Sequence, residues 1–359
     1  MARSVLAYNG KLLSTKLRLY PLFGGAHASR RMAPRAPLLS RRSFLGAAAA
    51  AVTAGGGAGR ALARDDGPAI PIIDTHIHLF DPTRPEGVPW PDPANPILYR
   101  PALPERYRGI AAPLGIRGAI EVEASPWLED NQWVLDVAAK DTIIVGTVGD
   151  LEPGEADFPK QLERFGANPL FRGIRYGNLW GRDLGAGLEK PDFVADLKRL
   201  AGAGLVLDSA NPRPQLLADL VRLTDLVPNL RVVVDHLPAL ERPAEAPARA
   251  VYDRALAELA QRPQVYVKVS EVLNRSRPQA GLAAHRDKLD EIYGRFGPDH
   301  LLYGSDWPNS DPFGSYAEVL GLVREYFSGK GREAAEKYFW KNSVAAYRWI
   351  KRDPAQPGF

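Results

Sequence analysis

Apolar residues recur along this chain in two alternating rhythms. Short β-branched runs fall near 70–75, 116–122, 143–148, 171–176, 204–208, 231–235, 265–269 and 300–303. Runs of that length read as buried strands. Between most of them the apolar positions return every three or four residues, near 128–139, 156–165, 191–202, 213–226, 247–261, 284–295 and 314–327, and a last helical pattern covers about 332–349. Eight strands alternating with helices predict an α/β fold, a (β/α)8 TIM barrel. The first connection, from His78 to Gly115, breaks the rhythm. It is rich in Pro and aromatics (Trp90, Pro91, Pro93, Pro96, Tyr99) and predicts a long loop over the barrel mouth. A doubly wound sheet is the competing architecture, but no dinucleotide fingerprint follows a strand, and Gly55-Gly56-Gly57 lies far upstream of the first one.

Charge changes the picture at the N-terminus. Residues 1–63 hold ten Lys or Arg and no acid, so the net charge of +4 conceals a remainder of 36 basic and 42 acidic residues, net −6. The calculated basicity therefore gives no support for a nucleic-acid partner. Ser40-Arg41-Arg42-Ser43-Phe44-Leu45 precedes a small, uncharged run, Gly46 to Gly59, and Ala61-Leu62-Ala63 suits a cleavage site. The paired Arg41 and Arg42 resemble a bacterial twin-arginine signal, which predicts the twin-arginine translocase as a partner, cleavage after Ala63 and a periplasmic protein. A disordered basic leader or an uncleaved anchor is the alternative, and Met32 is a candidate start. The body, 64–359, then forms a single barrel domain. With no cysteine in the chain, disulfides, thiolate metal sites and a cysteine nucleophile are excluded.

In a barrel of this kind, chemistry gathers at the C-terminal ends of the strands. There the sequence offers His76 and His78 after strand 1, Glu121 and Glu123 on strand 2, Arg172 and Arg175 on strand 4, and Asp208 on strand 5. His236 follows strand 6, Lys268 lies on strand 7 and Asp306 follows strand 8. Charges in apolar strands are costly unless paired or functional. His76 and His78, two apart on an extended backbone, face the same way. They can present two nitrogens to one metal ion or to one substrate oxygen, with Asp306 as an oxygen ligand, a base for water, or both. Arg175, Lys268 and Asp208 have an ordinary alternative as buried ion-pair partners. Trp90, Trp180 and Trp307 are candidates for the pocket wall, with Trp127 beside them, although packing alone explains large aromatics. His27, His285 and His300 fall outside the expected site.

Four segments carry a resemblance to a known family. Ile73-Asp74-Thr75-His76-Ile77-His78, Val234-Asp235-His236-Leu237-Pro238, Tyr266-Val267-Lys268-Val269-Ser270 and Leu302-Tyr303-Gly304-Ser305-Asp306-Trp307-Pro308 look like the amidohydrolase-2 family, in its sugar-lactone and 2-pyrone-4,6-dicarboxylate lactonase-like branch. The resemblance spans about 70–350. It implies a metal-dependent-hydrolase-like TIM barrel with His76, His78, His236 and Asp306 in the active site and Asp306 as the base. The wider superfamily places a histidine on strand 5, where this chain has Asp208-Ser209. The resemblance therefore leaves two readings open. In one, a divalent ion, zinc first, is held by His76, His78 and Asp306. In the other there is no metal, and the imidazoles polarise the carbonyl themselves.

The reaction expected is hydrolysis of a lactone, a sugar lactone or a pyrone carboxylate. Asp306 would activate water, and Arg175 and Lys268 would hold a carboxylate or hydroxyls of the small-molecule substrate. A metal-dependent nonoxidative decarboxylase of an unsaturated or aromatic acid, an amidase or phosphoesterase, and a non-catalytic periplasmic binder are the alternatives.

Overall fold

A computed structural model describes residues 68–210, 212–278 and 281–358, all within the compact unit Ala63–Phe359. Arg41, Arg42 and Ala63, the expected export signal and its cleavage site, lie outside the described residues.

The eight apolar runs form the eight strands: β1 Ile72–Ile77, β2 Ile116–Val122, β3 Ile144–Gly149, β4 Phe171–Arg175, β5 Val206–Asp208, β6 Arg231–Val234, β7 Val265–Val269 and β8 Leu301–Tyr303. They pair in sequence order, and every ladder is parallel. Helices connect them: α1 Pro104–Ala111, α2 Asp130–Ala139, α3 Phe158–Gly166, α4 Leu184–Leu188, α5 Pro191–Gly202, α6 Pro214–Leu226, α7 Ala246–Leu259, α8 Arg286–Phe296 and α9 Tyr316–Ser328, with α10 Arg332–Glu336 and α11 Asn342–Tyr347 closing the chain. Their starts and apolar faces follow local chemistry. Proline occupies the first helical turn of α5 and α6, where its missing N–H costs nothing. Ser315 and Glu318 close a reciprocal capping box on α9. In α3 the residues Phe158, Leu162 and Phe165 fall on one buried face.

The barrel closes tightly at one seam. Among the described residues the segment after β8 meets β1 through one parallel bridge, Ile77 to Trp307, flanked by His78 N–H donating to the Trp307 carbonyl at 2.8 Å and Asp306 N–H donating to the His76 carbonyl at 2.9 Å. Gly304 permits this approach, because a Cβ there would lie 2.9 Å from the His76 Cβ. Inside, Ile73, Ile120, Val122, Val145, Val148, Val206, Val233 and Leu302 pack with Ala346, Tyr347 and Trp349 of the C-terminal segment, which plugs the barrel from below. A larger apolar cluster fills the layer between strands and helices.

Two expectations need correction. The connection from His78 to Gly115 is not a loop throughout, since α1 occupies its end. Its buried contacts, Pro104, Tyr107 and Ala111, are too sparse to stand out as a periodic pattern. The last helical pattern is also not continuous: a π-helical turn, Lys337–Lys341, separates α10 from α11.

Candidate active site

His76, His78, His236 and Asp306 converge at the C-terminal end of the barrel. His78 Nε2 lies 3.2 Å, His76 Nε2 3.5 Å and His236 Nε2 3.9 Å from Asp306 Oδ1. All four residues are buried. Asn309 donates to Asp306 Oδ2 at 2.7 Å, which fixes the carboxylate plane. Burial works against a charge on Asp306, yet the imidazoles of His236, His78 and His76 outweigh it and hold the carboxyl below the usual carboxylate range. Burial, with the Lys268 ammonium second, keeps His76 well below the usual imidazole value. It takes His236 down to about 4, with Asp306 and Asp235 opposing.

Backbone strain marks the same place. Five described non-glycine residues have φ between +49° and +59°, and four of them, Trp180, His236, Glu271 and Asp306, line one cavity. Such conformations cost roughly 1–3 kcal/mol each and persist where the surroundings fix them, most often at functional sites. The cavity has about 200 Å³ of open volume, and His78, Trp90, Glu123, Arg175 and Asn309 complete most of its wall. The Trp90 indole stands edge-on to His78 at 5.6 Å, and Trp180 Nε1 donates to Glu123 Oε2 at 3.0 Å. Arg175 reaches the cavity with its Nε 3.2 Å from Asp235 Oδ2 and an Nη 3.9 Å from Glu123.

Several expected roles change with the tertiary structure. Lys268 is fully buried beneath the histidines, 2.6 Å from Asp208 Oδ2, and does not line the cavity, so it cannot grip substrate. Trp307 is likewise buried, against Tyr107 and under the Arg106 guanidinium, away from the cavity. Arg172 points away from the site, donating to the Arg348 carbonyl. Trp127 is exposed on the surface. Asp208 accepts from Lys268 and Tyr347, an ion pair rather than a ligand for substrate. Neither Glu121 nor Glu123 joins a metal-ligand group among the described residues. Glu121 is instead buried with an unpartnered Oε1, and burial pushes its carboxyl well above the ordinary range.

Glu271 was missed by the sequence reading. It follows β7 by two residues, and its Oε1 sits 4.0 Å from His236 Nε2 on the cavity wall. Burial first, then the charge of Asp306, raises its carboxyl above the ordinary value. The strand-end rule pointed to this position, but it was applied to Lys268, three residues earlier. Asp235, which faces both Arg175 and Lys268, was visible only as part of the strand-6 motif.

A metal-binding cluster is present: His76, His78 and Asp306 offer one atom each within 4.8 Å of one another. Zinc with ligands ~2.0–2.1 Å away sets ligand atoms about 3.3 Å apart, close to the 3.2 and 3.5 Å found between Asp306 Oδ1 and the two imidazoles. His78 Nδ1 hydrogen-bonds the Val122 carbonyl at 2.8 Å, which puts the proton there and leaves the Nε2 lone pair facing Asp306. His76 Nε2 has no hydrogen-bond partner. The spacing, the His78 lone pair and the Asp306 oxygen fit a divalent ion.

Comparison with known proteins agrees with this picture. The family model for Amidohydrolase matches residues 73–349. An L-fucono-1,5-lactonase of Burkholderia ambifaria is 27% identical over 282 residues, covering 77% of this chain and 95% of that protein. Among solved structures, an amidohydrolase from Burkholderia multivorans with bound zinc superposes with a TM-score of 0.69 at 23% identity, covering 78% of this chain and 100% of the other. A probable 2-pyrone-4,6-dicarboxylic acid hydrolase from Acinetobacter baumannii with citric acid bound does so at 0.61 and 18% identity, covering 77% and 99%. With its eight-stranded parallel barrel and strand-end His and Asp cluster, the chain belongs to the amidohydrolase family and is an enzyme of the hydrolase type.

Proposed function

We propose that the protein opens a lactone ring by hydrolysis, and that the lactone is uncharged and hydroxylated. The observation that carries this is the Asp306 carboxylate, held ionised on the floor of a cavity sized for one small ring. The choice among lactones rests on charge. Glu123, Glu271 and Asp306 line the cavity, and the one lining cation among the described residues, Arg175, is already paired with Asp235. A dicarboxylate would meet the Asp306 charge and no unpaired cation there, whereas hydroxyls can donate to Glu123. This charge balance favours a substrate closer in kind to that of the fuconolactonase relative than to a pyrone dicarboxylate.

The proposed steps draw on this geometry. Asp306 takes a proton from water, whose oxygen attacks the lactone carbonyl. The carbonyl lies against His76, where an imidazole N–H can meet the developing negative charge. Collapse of the adduct breaks the bond to the ring oxygen. Glu271, protonated because of burial and the Asp306 charge, returns a proton to that oxygen. Trp90 and Trp180 wall the ring and limit its size. When bound, a divalent ion held by His76, His78 and Asp306 would supply Lewis-acid polarisation of the carbonyl and acidify water. The leader sequence alone supports export of this activity to the periplasm.

The test is hydrolysis of a panel of aldono-1,5-lactones and of 2-pyrone-4,6-dicarboxylate by the purified protein, with and without chelator. Turnover of neutral lactones, lost by about 10²-fold or more in Asp306→Asn, is the expected result. Inert lactones together with release of carbon dioxide from an aromatic acid would overturn the reading in favour of a decarboxylase.

A further inference from the structure

Beneath the site lies a buried layer of charge that the reaction itself does not use. Lys268 Nζ is 2.6 Å from Asp208 Oδ2, 3.0 Å from Asp235 Oδ1 and 3.0 Å from His76 Nδ1. All four residues are fully buried. An ammonium has three donors and no acceptor; Lys268 hydrogen-bonds Asp208 and His76, and Asp235 faces it as an ion-pair partner. The contact with His76 can then run in one direction only: Lys268 donates and Nδ1 accepts. A neutral imidazole with Nδ1 accepting carries its proton on Nε2. That nitrogen points towards Asp306 Oδ1, 3.5 Å away.

We infer that Lys268 is a positioning residue that fixes His76 in the Nε2–H tautomer, as a hydrogen-bond donor in the site, and thereby weakens metal binding at His76. A metal ligand needs a lone pair on Nε2. To supply it, His76 must move its proton to Nδ1, give up the Lys268 contact and turn to Asp235 Oδ2, now 3.7 Å away. His78 faces no such conflict, because its Nδ1 already sits on the Val122 carbonyl. The two histidines of the pair are therefore unlike: His78 is set as an acceptor towards the site and His76 as a donor. Lys268 is the reason for the difference. The inference rests on the lactone reading only in naming a carbonyl oxygen as what the His76 N–H would meet. Its test does not use turnover, so it can fail while that reading stands, and the reverse.

The experiment is long-range ¹H–¹⁵N correlation on histidine-labelled, chelator-treated protein, with His76 assigned by loss of its signals in His76→Gln. The expected spectrum shows His76 protonated at Nε2 and bare at Nδ1. In Lys268→Met the proton should move to Nδ1, and zinc affinity measured by equilibrium dialysis should rise at least about tenfold, the scale on which partners of a ligating histidine act. A wild-type His76 carrying its proton on Nδ1 would overturn the inference, as would zinc affinity unchanged within about twofold in Lys268→Met. Should Lys268→Met fail to fold with Asp208 left unpaired, Lys268→Met/Asp208→Asn removes that charge, and the wild-type spectrum decides the tautomer without any variant.

Discussion

The Asp74 carboxylate accepts the backbone N–H of Ser305 at 2.9 Å, tying the strand that carries His76 and His78 to the turn that carries Asp306. The same carboxylate accepts from the His76 N–H at 3.2 Å, the Tyr107 hydroxyl at 2.9 Å and the Tyr316 hydroxyl at 2.8 Å. It thus joins β1, the residues after β8, α1 and α9 at the seam where the ladder itself is reduced to one bridge. The relative placement of the three metal-ligand atoms depends on this side chain, although Asp74 does not line the cavity they face.

Asp74→Ala should leave several buried donors unmet, at about 1–3 kcal/mol for each, and loosen the seam. Urea unfolding should show a large loss of stability, and activity should fall through kcat more than through KM. Stability within about 1 kcal/mol of wild type would show that the seam is held by other contacts.

The proton-return role of Glu271 predicts a pH effect. Burial and the Asp306 charge raise its carboxyl above the ordinary value, so it keeps its proton at neutral pH and loses it as the solution becomes alkaline. The wild-type kcat/KM profile should therefore carry an alkaline limb. Glu271→Gln cannot donate a carboxyl proton, so kcat should fall by about 10²-fold and that limb should vanish. A variant with full kcat and the same alkaline limb would remove Glu271 from the reaction.

Glu121 makes a prediction about stability alone. Its folded-state value is raised by burial, and the next largest contribution, from Glu123, has the same sign. Below the unfolded-state value of 4.5 both states are protonated and nothing is lost. As the pH rises past that value towards the higher folded one, the unfolded state ionises first and stability is progressively lost. Glu121→Gln does not titrate. Its stability relative to wild type should be near zero at about pH 4 and grow in its favour towards about pH 8, as read by urea unfolding at each pH. A constant difference across that range would mean that Glu121 is ionised and paired in the folded protein.

The architecture was legible in the chain because a parallel barrel strand is buried on both faces and reads as an unbroken apolar run. All eight runs became strands, β1 to β8, in order. The polar residues interrupting or ending those runs marked the site for the same reason: His76, His78, His236 and Asp306 would be expensive in an apolar strand without a function, and they do converge. The short helix α1 escaped because three buried contacts in eight residues give no clear period.

By itself, then, the sequence determined which elements exist and which end of the barrel carries chemistry, since these follow from local periodicity and from the cost of burying charge, while the family resemblance singled out the four residues at its centre. Only the tertiary structure decided what each charged neighbour does. Lys268 and Arg175 look alike along the chain, each a cation on a strand, yet one is sealed beneath His76 between Asp208 and Asp235 while the other opens onto the cavity. Glu271 and Trp307 follow their strands at similar distances, yet one lines the cavity and the other packs in the core. The difference lies in the backbone turn after each strand and in which side chains come from other strands to meet it. Those contacts, such as Asp74 with Ser305 or Lys268 with His76, join residues 231 and 192 positions apart. Local sequence pattern carries no record of pairing at that range.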